Sequence, residues 1–477
     1  MRTAYSVDTV RTAERALMAR LPEGALMQRA AAGLAVVCAE LLGRVYGSRV
    51  VLLVGSGDNG GDALYAGARL ARRGAGVVAV LLDAERAHRA GLAAFRAAGG
   101  RVAGSGEAVF DGADLVVDGI VGIGGRGGLR ERAVPLARAA AQSPAVVVSV
   151  DLPSGIDADT GQVTGEAVRA DVTVTFGAYK PGLLVDPGRE YAGAVRFVDI
   201  GLEPADGEAE LEALQHHDVA RLLPVPTEES DKYRRGVVGV VAGSARYPGA
   251  AVLAVAGALH GGAGAVRYVG PAAGAVVSRF PETLVSEGSP GKAGRVQAWV
   301  AGPGLGDDAS RLADVVAADV PVLIDADGLR LADARAVRGR AAPTLLTPHA
   351  GEAAALLGTP REYVEAERLA AVRELAARYH ATVLLKGSTT LVAGPDGGAV
   401  RVNPTGTPWL ATAGSGDVLS GLAGSLLAAG LGVLDAGSVA AYLHGLAARR
   451  VSGGAPVAAQ DVAGALPGAW ADVRREA

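Results

Sequence analysis

The chain has 477 residues, 50% hydrophobic and 20% charged, with a net charge of −4 and one cysteine, Cys38. That length exceeds what one core supports and predicts two globular domains. The balance argues against nucleic acid or an anionic membrane as partner, and a lone thiol excludes a disulfide framework and a cysteine-rich zinc site.

Residues 1–20 contain Asp8 and Glu14 and no long apolar run, so no secretory signal is expected and a cytoplasmic location is. Helical periodicity through Val10, Ala13, Leu17 and Leu21 predicts one helix, and Pro22 opens a second that reaches Leu42. Cys38, inside Ala35-Val36-Val37-Cys38, reads as a packed thiol. Arg49–Val54 is a buried strand, followed by the glycine-rich loop Gly55–Asp62 and a helix from Ala63 to Arg73. Strand, glycine loop and helix form a phosphate-binding layout, though not a GxGxxG. Alternation continues with strand Gly76–Leu82, helix Ala84–Ala97 and strand Asp114–Val117, which delivers Asp118 and the loop Gly122-Ile123-Gly124-Gly125-Arg126-Gly127-Gly128. Strand Ala145–Val150 delivers Asp151-Leu152-Pro153-Ser154-Gly155. Ligands bind at this end of parallel strands. Asn59, Asp118 and the Ser154 region offer hard oxygens, which suit an alkali or alkaline-earth ion better than zinc.

The loop Gly57–Asp62, the Asp118 segment, Asp151–Gly155 and Phe176-Gly177-Ala178-Tyr179-Lys180 resemble the epimerase domain of NAD(P)H-hydrate repair proteins over residues 1–205. The resemblance implies a Rossmann-like three-layer αβα domain that interconverts the R and S hydrates of NADH or NADPH. It places the hydrate on Asp58, Asn59, Gly60, Gly61, Asp62 and on Gly122 to Gly128. It places potassium on Asn59, Asp118 and Ser154, and makes Asp151 the acid/base. Asp58 stands where the family usually has Asn, and Lys180 is a candidate to offset that charge. Related domains also occur as binding-only, RNA-associated proteins, a reading the acidic balance disfavours.

Leu202–Gln215, rich in Glu, Ala and Pro, reads as a linker. His216-His217-Asp218 does not suit a metal, because adjacent helical residues face apart. Ala250–Val266 reads as a buried helix leading into a strand, not a membrane span. Strands Val237–Val241, Gln297–Val300, Val322–Ile324, Thr344–Leu346 and Thr382–Leu385 end in polar or glycine-rich tips, which predicts a second α/β domain with its own site. The Ala411-Thr412-Ala413-Gly414-Ser415-Gly416-Asp417 run precedes an apolar helix starting at Val418 and makes an anion hole with a carboxylate at its lip. Only four of the 46 basic residues are lysines: Lys180, Lys232, Lys292 and Lys386. Lys292, between glycines, reads as an exposed loop residue.

Residues 216–477 resemble the NAD(P)H-hydrate dehydratase domain of the ribokinase-like superfamily, an αβα fold. The resemblance rests on Lys232–Gly236, Gly302–Gly306, Asp325-Ala326-Asp327-Gly328, Thr347-Pro348-His349 and Gly414–Asp417. It implies adenine-nucleotide binding by Lys386, Gly387, Ser388, Thr389, Thr390 and Gly416. It implies hydrate contacts from Ala250, Gly306, His349 and the catalytic Asp417, with ADP as co-substrate and Mg²⁺ on it. Thr407 and Ala413 depart from the family's usual Asn and Gly. The competing readings are a small-molecule kinase fused to a nucleotide-binding regulatory domain, and a nucleotide-sensing scaffold without catalysis. Abundant Ala/Gly helices permit close packing between subunits, so a homo-oligomer is expected.

Overall fold

The computed structural model describes residues 1–104, 107–205, 207, 209–286 and 288–475. The chain divides into two compact units, Thr3–Leu211 and Glu212–Ala477, the latter taking in Met1–Arg2.

The strands up to residue 213 are β1 Arg2–Tyr5, β2 Arg49–Val54, β3 Gly76–Leu81, β4 Arg101–Ala103, β5 Leu115–Gly119, β6 Val146–Val150, β7 Val172–Phe176, β8 Ala194–Val198 and β9 Ala209–Ala213. Seven form a sheet in the order β4-β3-β2-β5-β6-β7-β8, with every pairing parallel. Near-continuous Val and Leu in β2 is what a strand covered on both faces requires, and β2 from Val50 onward is buried. Strand order reverses direction between β2 and β5. That is the switch point where a crevice opens above the strand ends.

Three sequence expectations change here. The glycine-rich loop after β2 is mostly helix: Asp58–Arg72 is helical, so Asn59, Gly60, Gly61 and Asp62 lie in its first turns. The reason is close approach. A Cβ on Gly60 would sit 2.3 Å from the Gly55 carbonyl oxygen, so only glycine lets the helix start this near its strand. The helix expected from Ala84 begins at Arg89, because the His88 side chain caps it by accepting from the Gly91 amide. The linker contains β9, whose Leu211 and Ala213 are buried alternately with partly buried neighbours; Asp206 and Glu208 of that linker lie outside the described residues.

Helix Ala25–Leu42 is long and apolar enough, by length and composition, to cross a membrane. Its Leu34, Val37 and Cys38 nevertheless belong to the core against β2 and the Asp58–Arg72 helix. Burial pushes the Cys38 thiol up to about 12, as an inert packed thiol requires.

The second unit contains β10 Val237–Val241, β11 Ala265–Val269, β12 Leu284–Ser286, β13 Ala298–Ala301, β14 Val322–Ile324, β15 Thr344–Leu346, β16 Thr382–Leu385, β17 Thr390–Ala393 and β18 Val400–Asn403. They lie in the order β18-β17-β16-β15-β14-β13-β10-β11-β12. Pairing is parallel from β12 to β16 and antiparallel through β17 and β18. Ala250–Val266 resolves into helix Pro248–His260 and β11. Lys292 is exposed, ending a short 3₁₀ turn.

Small residues pack helices closely inside this unit. Helices Pro248–His260 and Ser415–Ala428 touch through Gly257 and Gly421. A Cβ on Gly421 would meet the Ala254 carbonyl oxygen at 1.9 Å. Gly421→Ala is therefore expected to destabilise the protein by about 1–3 kcal/mol, despite alanine's better helix propensity. Chemical denaturation of the full chain checks this.

Candidate active sites at two sheet edges

In the first unit the switch point gathers Asn59, Asp118, Ser154 and Asp151. Asp118 closes β5 and is wholly buried. One carboxylate oxygen accepts from Ser154 Oγ at 2.6 Å and from the Ile120 amide at 3.3 Å. The other accepts from Ser149 Oγ at 2.8 Å and the Ser154 amide at 2.9 Å. Burial raises its pKa and the serine bonds lower it, burial being the larger effect. Asn59 donates to the Val150 carbonyl at 2.6 Å, and its amide lies where a Cβ on residue 122 would be, 2.4 Å from Oδ1. Ser154 Oγ also accepts from the Val121 amide at 3.0 Å. Asn59, Asp118 and Ser154 thus surround one turn, Ile120–Gly122.

Asp151 sits at φ 66°, a strained position for a non-glycine residue. The strain is held by bonds: Lys180 Nζ at 2.5 Å, the Phe176 amide at 3.1 Å and Thr175 Oγ1 at 3.2 Å. Lys180 is 1% exposed and also donates to Thr175 Oγ1 and the Phe176 carbonyl. Sequence reasoning offered Lys180 to Asp58; the structure gives it to Asp151 and leaves Asp58 exposed. Asp62 is buried, and its Oδ1 has no hydrogen-bond partner. Burial, then Asp151, Asp58 and Glu14, raise its pKa well above the carboxylate range. Glu14, from helix Val7–Met18, is raised by burial and then by Asp151; the sequence had used it only against a signal segment. In the Gly122–Gly128 loop the Gly125 amide donates to Gly122, and Gly124 approaches Arg11. Ile123 and Arg126 lie on the same loop, and Gly127 and Gly128 turn it with positive φ.

The second site is built on the tips of β13 to β16 and the start of helix Ser415–Ala428. That helix begins three residues earlier than the sequence suggested. Gly414 caps it in the left-handed conformation at φ 87°, so Ser415, Gly416 and Asp417 form its first turn. Lys386, after β16, pairs with Asp325, after β14, at 2.7 Å, and lies 3.7 Å from Glu352. The second oxygen of Asp325 accepts from Ser420 Oγ at 2.7 Å. A Cβ on Gly416 would lie 3.5 Å from Lys386 Nζ, so the ammonium faces the helix turn that carries Asp417. Burial weakens the Lys386 charge, but Asp325 and Glu352 outweigh it and raise its pKa. Asp417 is pushed up to about 7, first by burial and then by Asp325; Lys386 opposes, while Asp327 and Glu352 add to the rise.

His349 caps helix Ala350–Leu357, accepting from the Glu352 amide while Glu352 accepts from the His349 amide. Gly306 donates to Asp327 at 2.9 Å, and Ala250 meets Gly304 at the start of helix Pro248–His260. Arg368, which the sequence did not single out, holds the Lys386–Thr389 turn by donating to the Leu385, Lys386 and Thr389 carbonyls, and packs where a Cβ on Gly387 would be. Thr389 and Thr390 are buried, and Ser388 lies between them and Gly387. His444, also unremarked in the sequence, is buried and bonds the Ser415 backbone; burial lowers its pKa to about 4. Thr407 caps a short turn through the Trp409 amide, and Ala413 is exposed. Neither departure enters the Lys386–Asp325 network.

Asp325→Asn removes the largest like charge acting on Asp417 and frees Lys386. The acid limb of the second site's pH–rate profile is expected to move below about 7, which steady-state rates across pH check.

A family model described as NAD(P)H-hydrate dehydratase matches residues 238–466, and one described as YjeF-related protein N-terminus matches residues 23–182. The bifunctional NAD(P)H-hydrate repair enzyme of Mycobacterium leprae is 51% identical over 458 residues, covering 94% of each chain. That of Corynebacterium glutamicum is 36% identical, covering 99% of each. The chain belongs to the bifunctional NAD(P)H-hydrate repair enzymes. It is an enzyme with an isomerase half and a lyase half. The ADP/ATP-dependent NAD(P)H-hydrate dehydratase of Bacillus subtilis, crystallised with ATP and Mg²⁺, is 30% identical at a TM-score of 0.50; the match covers 54% of this chain and 97% of that one. A ribokinase-like protein from Enterococcus faecalis, 23% identical at a TM-score of 0.50, shares the fold over 55% of this chain and 96% of its own.

Proposed function

We propose that residues 1–205 interconvert the R and S hydrates of NADH and NADPH, and that residues 216–477 dehydrate the S form with ADP, giving AMP, phosphate and NAD(P)H. The observation that carries this reading is Asp417, poised near neutral pH at a helix N-terminus beside Lys386. A general base works best with a pKa near the working pH. Asp417 takes the proton of the hydrate's hydroxyl. The amides of the Gly414–Gly416 turn and the Lys386 ammonium stabilise the phosphoryl group as it passes to that oxygen. Phosphate is then a far better leaving group than hydroxide, and the ring nitrogen's lone pair expels it. His349 and Gly306 border the hydrate, and Lys386–Thr390 with Gly416 border the nucleotide.

Among the described residues no group of three His, Cys, Asp or Glu side chains is arranged to hold a metal ion. We therefore place Mg²⁺ on the nucleotide's phosphates, where it supplies charge neutralisation. The first site fits potassium: Asp118 is a wholly buried carboxylate bonded to hydroxyls and amides, and its neighbours Asn59, Ser154 and Val121 present hard oxygens. Bound there, a monovalent cation supplies the charge that balances Asp118. The proposed setting is cytoplasmic, and the ligands are small molecules.

The test is nucleotide-dependent recovery of reduced-nicotinamide absorbance from an acid-made mixture of both hydrates. Full recovery by the enzyme, and recovery of about half when Asp151 is replaced by Asn, is expected. Comparing ADP with ATP identifies the donor, and replacing K⁺ by Li⁺ is expected to slow only the R-form phase. No nucleotide-dependent recovery overturns the reading, and a stable phosphorylated product favours a kinase instead.

A further inference from the structure

Four carboxyl groups, Asp58, Asp62, Asp151 and Glu14, act on one another across the first site, and one buried cation stands among them. That cation, Lys180, is committed to Asp151 and to two oxygens of its own strand tip. Asp58 is exposed and solvated. Asp62 has neither resource: it is 7% exposed, and its Oδ1 is buried without a donor. A buried carboxylate oxygen left this way costs several kcal/mol if ionised and little if the group is protonated. Asp62 lies one helical turn beyond Asn59, on the helix that rises from the switch point.

We propose that Asp62 is the protonated acid of epimerisation, working opposite Asp151 as the base. The inference rests on the epimerase reading of this unit and adds a division of labour that the position of Asp151 alone does not give. Two carboxyls held in unlike environments take opposite roles: Asp151 carries its charge against Lys180, and Asp62 carries a proton.

The hydrate's hydroxyl carbon is bonded to the ring nitrogen. The Asp151 carboxylate takes the hydroxyl proton, the carbon–oxygen bond becomes a carbonyl, and the carbon–nitrogen bond breaks with its electron pair on nitrogen. The Asp62 proton goes to that nitrogen. Rotation of the resulting aldehyde and reclosure on its other face reverses each transfer. Both carboxyls return to their starting states, and no oxidant, reductant or further reactant is consumed.

The charged groups acting on Asp62 are Asp151 from the strand tip, Asp58 on its own helix and Glu14 from helix Val7–Met18; Arg11 and Lys180 act on Glu14, and His88 meets the neighbouring Gly61. Asp62→Asn keeps the shape of a neutral acid. It is expected to slow epimerisation by about 10²–10⁴-fold. It should leave S-hydrate dehydration unchanged, raise rather than lower the thermal midpoint at neutral pH because the folded state no longer has to hold a proton there, and remove one protonated-carboxyl band from the infrared difference spectrum at neutral pH. In the unmodified enzyme the epimerisation rate should fall on the alkaline side as Asp62 loses its proton. An Asp62→Asn enzyme that epimerises at the original rate, an unchanged infrared band, or an unmodified enzyme with no alkaline limb each overturns the proposal. If the unmodified enzyme does not epimerise at all, the epimerase reading itself fails.

Discussion

Asp417→Asn is expected to lower nucleotide-dependent dehydration by about 10²–10⁴-fold while leaving epimerisation intact. The amide keeps the shape and the helix-start geometry but cannot take the hydroxyl proton. With Asp417 pushed up to about 7, the unmodified enzyme should lose dehydration rate as pH falls through that value. The same substitution should stabilise the fold above neutral pH. The group's pKa is raised on folding, so the folded state binds the proton more tightly than the unfolded one. Stability then falls as pH rises from about 4, the ordinary carboxylate value, through about 7. Removing the charge recovers on the order of a few kcal/mol at the alkaline end. Thermal midpoints of both proteins across pH, read beside the dehydration rates, check both halves. A variant that loses activity and stability together would mark Asp417 as structural.

The second large effect belongs to the buried pair in the first unit. Lys180→Met is expected to destabilise Thr3–Leu211 by about 3–5 kcal/mol, because it leaves the Asp151 charge buried and unpaired at a strained φ. Epimerisation should fall with it. The double replacement Lys180→Met with Asp151→Asn should recover most of the stability and none of the epimerisation. Hydrogen exchange over that unit and the R-hydrate phase of the recovery assay separate the two outcomes. A single Lys180→Met enzyme with unchanged exchange would mean that Asp151 does not depend on its partner.

Much of both sites was legible because glycine, Asp and Lys at strand ends follow from local chemistry. Strands β2, β10, β14, β15 and β16 fall at the residues their apolar runs predicted. The helix start at Ser415 needs a left-handed glycine before it, and Gly414 supplies it in the adjoining residue. Where the sequence misled, the deciding contact was distant in the chain. The loop after β2 reads as irregular by composition, yet Gly60 pressed against Gly55 lets the helix begin at Asp58.

The sequence by itself determined the alternating strands and helices, the glycine-lined tips and the list of candidate acids. Only the tertiary structure decided which acids are buried and which cations they pair with. Lys180 reaches Asp151 rather than Asp58, Asp62 is left buried without a donor, and burial with Asp325 raises Asp417 against the pull of Lys386. Protonation depends on burial and on charges a few ångströms away, and those neighbours come from elements far apart in the chain, as Glu14 and Asp151 do.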